Sequence, residues 1–173
     1  MTGIAAQVNL GADANMNRDD FIAAMRGVAS SVAVVTTGGE AGRYGTTVTS
    51  FCSVSADPPA MLACIHAHSR FAPIVEANKQ FAINVLSEGE AHIAQRFAGA
   101  DDENVSDRFE GIALHADSTD VPMIAGATVL LCTLDRLVDG NTHRIVIGNV
   151  TMAERSATPP LLYMAGGYQA LAT

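Results

Sequence analysis

Residues 45–55, GTTVTSFCSVS, carry six hydroxyl side chains: Thr46, Thr47, Thr49, Ser50, Ser53 and Ser55. A hydroxyl donates one hydrogen bond and accepts two, so this stretch, with Thr37 expected across a hairpin from it, can line a ligand rich in polar atoms. Threonine is also favoured in half-exposed strands for steric reasons alone, so the composition by itself leaves both readings open. Two other groups could do chemistry: an H-x-H at His66 and His68, and a solitary His143 beside a turn. No third ligand lies near the H-x-H, and no metal site is expected. Cys52, Cys64 and Cys132 are odd in number, far apart and set in apolar sequence. That pattern suits reduced structural core thiols better than a disulfide framework or a zinc site.

What is missing narrows the chemistry further. The chain has no G-x-G-x-x-G after a strand, no G-x-x-x-x-G-K-[ST] and no G-x-S-x-G, so the dinucleotide fingerprint, the P-loop and the hydrolase elbow are absent. No triad, carboxylate pair or metal cluster stands out. With 173 residues, 49% of them hydrophobic, the chain can bury one core. A formal charge of -8 without a Lys/Arg run disfavours nucleic acid as a partner. The N-terminal residues lack the basic and apolar regions of a secretory signal, and no later apolar run spans a bilayer, so a cytoplasmic protein without a membrane partner is expected.

The elements that must position these residues read as follows. Residues 1–16 form a loose lead-in, and a single domain occupies 17–173. Asn17 can cap a helix that ends before Ser30, with Phe21, Met25 and Val28 on one stripe and Asp19 and Asp20 at its positive end. Residues 31–37 and 44–51 read as an antiparallel hairpin. Pro58 and Pro59 interrupt the chain before a strand at 60–65, and a short helix carrying Phe71, Ile74 and Val75 ends near Asn78. In 80–87, QFAINVLS, alternation sends Phe81, Ile83 and Val85 one way and Ala82, Asn84 and Leu86 the other. A helix at 88–98 is followed by an acidic, irregular surface loop at 99–110. Strands at 128–138 and 143–152 flank the turn Asp139-Gly140-Asn141-Thr142. Several antiparallel strands with only short helices between them predict a mainly β protein, a barrel decorated by helices.

A series of segments arrives in a telling order: FIAAMRGVASSVAVVTT, GTTVTSFCSVSADPP, a Cys-bearing strand with HSR, FAINVLS, AQRFAG, RF, GNTHRIVIGNV and PLLYMAGGY. Over residues 20–168 this order resembles the flavin reductase family of FMN-binding split barrels, the small components that supply reduced flavin to two-component monooxygenases. The resemblance implies an antiparallel Greek-key split β-barrel with short flanking helices. It further implies a homodimer with the flavin in a groove at the subunit interface, and hydride transfer from NADH or NADPH to FMN or FAD.

The resemblance also implies roles. Thr47, Val48, Thr49 and Ser50 would meet the isoalloxazine edge, and Ser53, Val54 and Ser55 would follow along the ring and ribityl chain. Ser69 and Arg70 would take the phosphate, Asn84 would hydrogen-bond the flavin or a loop, and Arg96 with Phe97 would support the cofactor. His143 corresponds to the histidine of the family's Gly-Asp-His turn, beside the nicotinamide. Thr142 stands where the family has aspartate, which removes a carboxylate that could set the imidazole tautomer. The other readings are a split-barrel flavoprotein reducing another acceptor, such as ferric iron or a corrinoid, and a non-catalytic flavin-binding protein.

Overall fold

The computed structural model describes residues 16–100, 102–118 and 120–171, so all but Met16 of the expected lead-in lies outside the described residues. The first helix, α1 (Arg18–Arg26), forms where expected: the Asn17 side chain accepts a hydrogen bond from the Asp19 amide at 3.1 Å, and Asp19 and Asp20 occupy its first turn. Its apolar stripe does not face a core. Phe21, Met25 and Val28 are about half exposed, and α1 buries no residue.

Among the described residues, ten strands and two more helices follow. They are β1 (Ser30–Ser31), β2 (Ala33–Thr37), β3 (Tyr44–Val48), β4 (Phe51–Ala56), β5 (Pro59–His66), α2 (Phe71–Asn78), β6 (Gln80–Val85), α3 (Ala91–Phe97), β7 (Thr128–Gly140), β8 (His143–Glu154), β9 (Leu162–Met164) and β10 (Gly167–Gln169). A seven-stranded antiparallel sheet runs β3-β2-β6-β7-β8-β5-β4, and β1, β9 and β10 make a small second sheet. The edge strands β3 and β4 are joined only by Thr49 and Ser50, so the sheet has to curl until its edges meet. The Cys64 amide of β5 donates to the Ser50 carbonyl at 2.8 Å beside that seam, extending the β4–β5 ladder into the turn. Register shifts between β7 and β8, with Thr151 extra on β8 and Asp135 extra on β7, bend the long strand pair around the barrel. The expected antiparallel barrel with short flanking helices is the fold that forms.

The alternation predicted for residues 80–87 divides the core in two. Phe81 and Ile83 of β6 join Ala33, Val35, Ile65, Val146 and the α2 residues Phe71 and Val75 inside the barrel. Ala82 and Leu86 face the opposite layer with Val32, Val34, Phe97 and Ile124. Each fully buried large side chain stabilises the fold by about 1.5–3 kcal/mol. Gly148 on β8 makes room for Phe81, since a Cβ there would lie 2.5 Å from the ring.

Four expectations need correcting. Helix α3 starts at Ala91, later than residue 88. Pro59 opens β5 instead of ending the break, a place where its missing N–H costs no ladder bond. The acidic loop after α3 is fastened: Phe109 is 5% exposed, and Arg108 ties it to β3 and α3. The β7–β8 turn also tightens to Asn141 and Thr142, with Gly140 already paired to His143. Asn141 takes φ 58, a left-handed conformation that asparagine tolerates.

Candidate functional site

The barrel seam opens into a cleft of about 200 Å³, lined by residues 46–50 together with Cys64, Ile65, His66 and His143. Strand order explains the assembly. β5 lies between β8 and β4, its His66 is directly opposite His143, and Cys64 is tied to Ser50. The His66 and His143 ring centroids are 5.4 Å apart at 72°, and His68 lies 5.5 Å from His66. The His143 Nδ1 is 2.9 Å from the Thr142 hydroxyl, and the His66 Nδ1 accepts the His68 backbone N–H at 3.3 Å.

Within the cleft the hydroxyls differ in what they have left to offer. Thr47 donates to the Ala94 carbonyl of α3 at 2.7 Å, which fixes the end of β3. Val48 is 8% exposed and belongs to the barrel core. Thr49 and Ser50 are exposed, and neither hydroxyl has an intramolecular partner among the described residues. Burial, and then the nearby Cys52, push the Cys64 thiol pKa up, so it stays protonated. Cys52 itself is exposed and not the core thiol expected, whereas Cys132 is buried and its pKa is pushed up to about 12 by desolvation.

Ser53, Val54 and Ser55 continue along β4 outside this cleft. The pairing of β4 with β5 shifts between Ser53 and Ser55, which leaves Val54 as an extra, half-exposed residue. The Ser55 hydroxyl accepts from the Asp57 amide at 3.1 Å.

A second cleft, of about 480 Å³, lies at the other end of β3, between Arg43, Tyr44, Arg70 and the strap that runs from Asp102 to Phe109. The guanidiniums of Arg70 and Arg108 stand 5.7 and 5.3 Å from the Tyr44 ring centroid, and Arg43 lies 5.0 Å from that of Phe109. Arg43 pairs with Asp107, and Arg108 pairs with Asp102 at 2.6 Å. The Arg108 hydrogen bond holds the Asp102 carboxyl below its usual range. Burial works against the Asp107 charge, but the Phe109 amide and Arg43 still hold its pKa down. Two of the three cations are thus neutralised, while Arg70 has no carboxylate partner among the described residues. Beside it, at the start of α2, the Ser69 hydroxyl accepts from the Phe71 amide at 3.2 Å and keeps its own proton to donate.

Other sequence candidates are placed elsewhere. Asn84 is fully buried, donating to the Val34 carbonyl at 2.9 Å and the Thr36 hydroxyl at 3.0 Å, and accepting from the Ile124 amide at 2.8 Å. It presents no atom to a ligand, because its hydrogen bonds pin β6 to β2 and to the segment before β7. Phe97, also fully buried, packs edge-on against Phe109 at 4.9 Å and fills the space above Gly45, where a Cβ would lie 2.6 Å from the ring. It is a core residue, not a cofactor contact. Arg96 donates to the Glu110 carbonyl at 2.9 Å, supporting the strap, and lines neither cleft. Thr37 is buried opposite Tyr44 and donates to the Gln80 carbonyl, far along the hairpin from the hydroxyl stretch.

Sequence reasoning did not foresee the placement of His66, Arg43, Tyr44 or Arg108. The H-x-H pattern pointed only towards a metal, and among the described residues no group of three or more His, Cys, Asp or Glu could hold one. Arg108, in an acidic loop, reads as a solvated charge, and no spacing reveals that it reaches Gly45 and Phe97.

The chain as a whole is similar to known proteins. Residues 25–172 match the flavin reductase like domain. The FMN reductase (NADH) RutF of Stutzerimonas stutzeri is 31% identical over 158 residues, 90% of each chain. A solved structure of the Streptomyces globisporus NADH:FAD oxidoreductase SgcE6, in complex with NAD and FAD fragments, superposes with a TM-score of 0.81 at 31% identity, covering 90% of this chain and 93% of that one. BorF, the flavin reductase component of a bacterial two-component tryptophan halogenase, superposes with a TM-score of 0.79 at 29% identity, covering 91% of this chain and 99% of that one.

Proposed function

The chain belongs to the flavin reductase like family, and from that premise we propose that it is an NAD(P)H-dependent flavin reductase, moving a hydride from NADH or NADPH to FMN or FAD. One observation carries the reading: the barrel seam brings the polar stretch 46–50 and His143 to one cleft, though they lie far apart in sequence.

The donor set suits a flavin. Thr49 and Ser50 offer uncommitted hydroxyls to a ring edge that has both donors and acceptors, and Arg70 with Ser69 offers a cation and a hydroxyl to a phosphate. A bound flavin supplies the redox chemistry itself, as the acceptor of the hydride. The residues of this chain bind and orient. The backbone and hydroxyls of Thr47, Val48, Thr49 and Ser50 hold the ring edge, and Ser53, Val54 and Ser55 extend that contact along β4. His143 flanks the nicotinamide; with Thr142 in place of a carboxylate, the Thr142 hydroxyl, 2.9 Å from Nδ1, sets the direction of Nε2. Asn84, Arg96 and Phe97 act from behind, by holding β6 and the strap in place.

The reduced flavin serves a separate flavin-dependent monooxygenase or halogenase, as the two-component setting of BorF suggests. A homodimer accounts for the outward apolar stripe Phe21, Met25 and Val28, with Tyr163 and Met164 exposed near the end of α1, where the Ala165 amide bonds the Arg26 carbonyl. Three free cysteines fit a reducing, cytoplasmic setting, and no helix among the described residues is long and apolar enough to cross a membrane. The test is anaerobic mixing of purified protein with FMN or FAD and NADH or NADPH. Bleaching of the flavin absorbance is expected with at least one pair, and the rates rank the cofactors. Failure of all four pairs to bleach faster than protein-free controls overturns the reading.

A further inference from the structure

His66 stands in the seam cleft, its side chain hydrogen-bonded among the described residues only to the His68 amide of the turn that follows β5. It is exposed, so it adds nothing to the core, and it makes no ion pair with a carboxylate among the described residues. Its position is nonetheless well defined. It is the last residue of β5, cross-strand from His143, and lies two residues past Cys64, whose amide holds Ser50. The imidazole therefore lies between the polar turn on one side and His143 on the other.

Its hydrogen bonding also orients it. The His68 backbone N–H can only donate, so the His66 Nδ1 is an acceptor, and the neutral ring carries its proton on Nε2. That Nε2–H has no partner among the described residues. The 72° edge-on contact with His143, at 5.4 Å, limits how far either ring can turn. The cleft thus holds one imidazole with Nδ1 committed to Thr142 and a second presenting a directed N–H donor.

We propose that His66 is a second histidine contact of the hydride donor, its Nε2–H donating to the nicotinamide carboxamide oxygen while His143 flanks the ring. The inference rests on the reductase reading above. A reduced nicotinamide offers one strong acceptor beside its ring, the carboxamide oxygen, and a fixed donor there orients the ring against the flavin without transferring a proton. The acceptors of the flavin are served from the other side, by residues 47–50. His66 is a binding contact, and the loss of its N–H falls on the dinucleotide and spares the flavin.

Three variants, His66→Ala, His66→Gln and His66→Asn, test this in the flavin-loaded protein. The readouts are steady-state KM and kcat for NADH, flavin Kd by fluorescence quenching, and thermal melting. His66→Ala is expected to raise the KM for NADH about tenfold while flavin Kd and melting stay unchanged. Glutamine carries an N–H near the site of the imidazole Nε2 and restores most of the affinity, whereas the shorter asparagine amide reaches only the Nδ1 position and does not. An unchanged KM in His66→Ala, a flavin Kd that weakens in step with KM, or rescue by asparagine and not glutamine overturns the proposal. If the alanine variant melts early, the contrast between glutamine and asparagine decides. Wild-type protein that fails to bleach FMN or FAD with either NADH or NADPH sinks the reductase reading itself, a different result from an active enzyme indifferent to position 66.

Discussion

Asn84 and Ser50 are both small polar residues on the same barrel, yet one is sealed within it and the other opens onto a cleft. Asn84 has both amide hydrogens donated, its oxygen accepting, and no exposed surface. Ser50 is exposed, with its carbonyl fixed by Cys64 and its hydroxyl uncommitted. The difference teaches that residue type marks a polar position, and the saturation of its hydrogen bonds says whether that position serves the fold or a ligand. The two clefts show the same contrast. In the arginine cleft two cations are already paired, and among the described residues Arg70 is the one without a carboxylate partner.

The largest expected effect breaks the sealed side. Asn84→Leu leaves the Ile124 N–H unsatisfied and removes the donors to Val34 and Thr36, and should cost about 3 kcal/mol in urea unfolding. Flavin affinity of the molecules that remain folded should not change. A stable variant that has lost flavin would place Asn84 on the ligand side and undo the comparison.

On the open side, His143→Ala should leave stability within about 0.5 kcal/mol and lower kcat/KM for NADH roughly thirtyfold, about 2 kcal/mol. A large loss of stability would show that the histidine belongs to the fold. A smaller effect is expected from Arg70→Gln: FMN binding weakens about tenfold, or 1.4 kcal/mol, while riboflavin, which lacks the phosphate, binds as before. Equal weakening of both would move the phosphate away from Arg70.

The smallest effect is acid-dependent. The pKa of Asp102 is depressed in the folded state, chiefly by Arg108, so its contribution is complete above the ordinary carboxylate value of 3.8 and is lost as pH falls through the lower folded value. Pepsin nicking within residues 99–110 should therefore rise below about pH 3.8 in the wild type, and Arg108→Gln should show it already at higher pH. Nicking that ignores both pH and the substitution would mean that burial of Phe109 alone retains the strap.

Much of the fold was legible because it is written in short-range spacing. The Asn17 cap, the helix after Arg70, the alternation from Phe81 to Leu86 and the hairpin around Asn141 each depend on neighbours within a few residues, and each forms close to where it was expected. The stripe Phe21, Met25 and Val28 was legible as a helix face, but its partner was not, because periodicity says that a face is apolar and not what covers it. Phe97 and Asn84 looked alike as site residues through motif order, and burial separated both from the cleft.

By itself the sequence determined an antiparallel barrel with short helices and the family to which it belongs, and it marked the stretch around Thr49 and Ser50 as rich in hydroxyls. Tertiary structure alone decided that His66 faces His143, that Arg108 bridges the strap to Gly45, and that Asn84 is spent on Val34, Thr36 and Ile124. The reason is physical. Local spacing sets which face a side chain takes, but the register between β5 and β8, some eighty residues apart, is set by packing of the whole core and by closure of every loop between them.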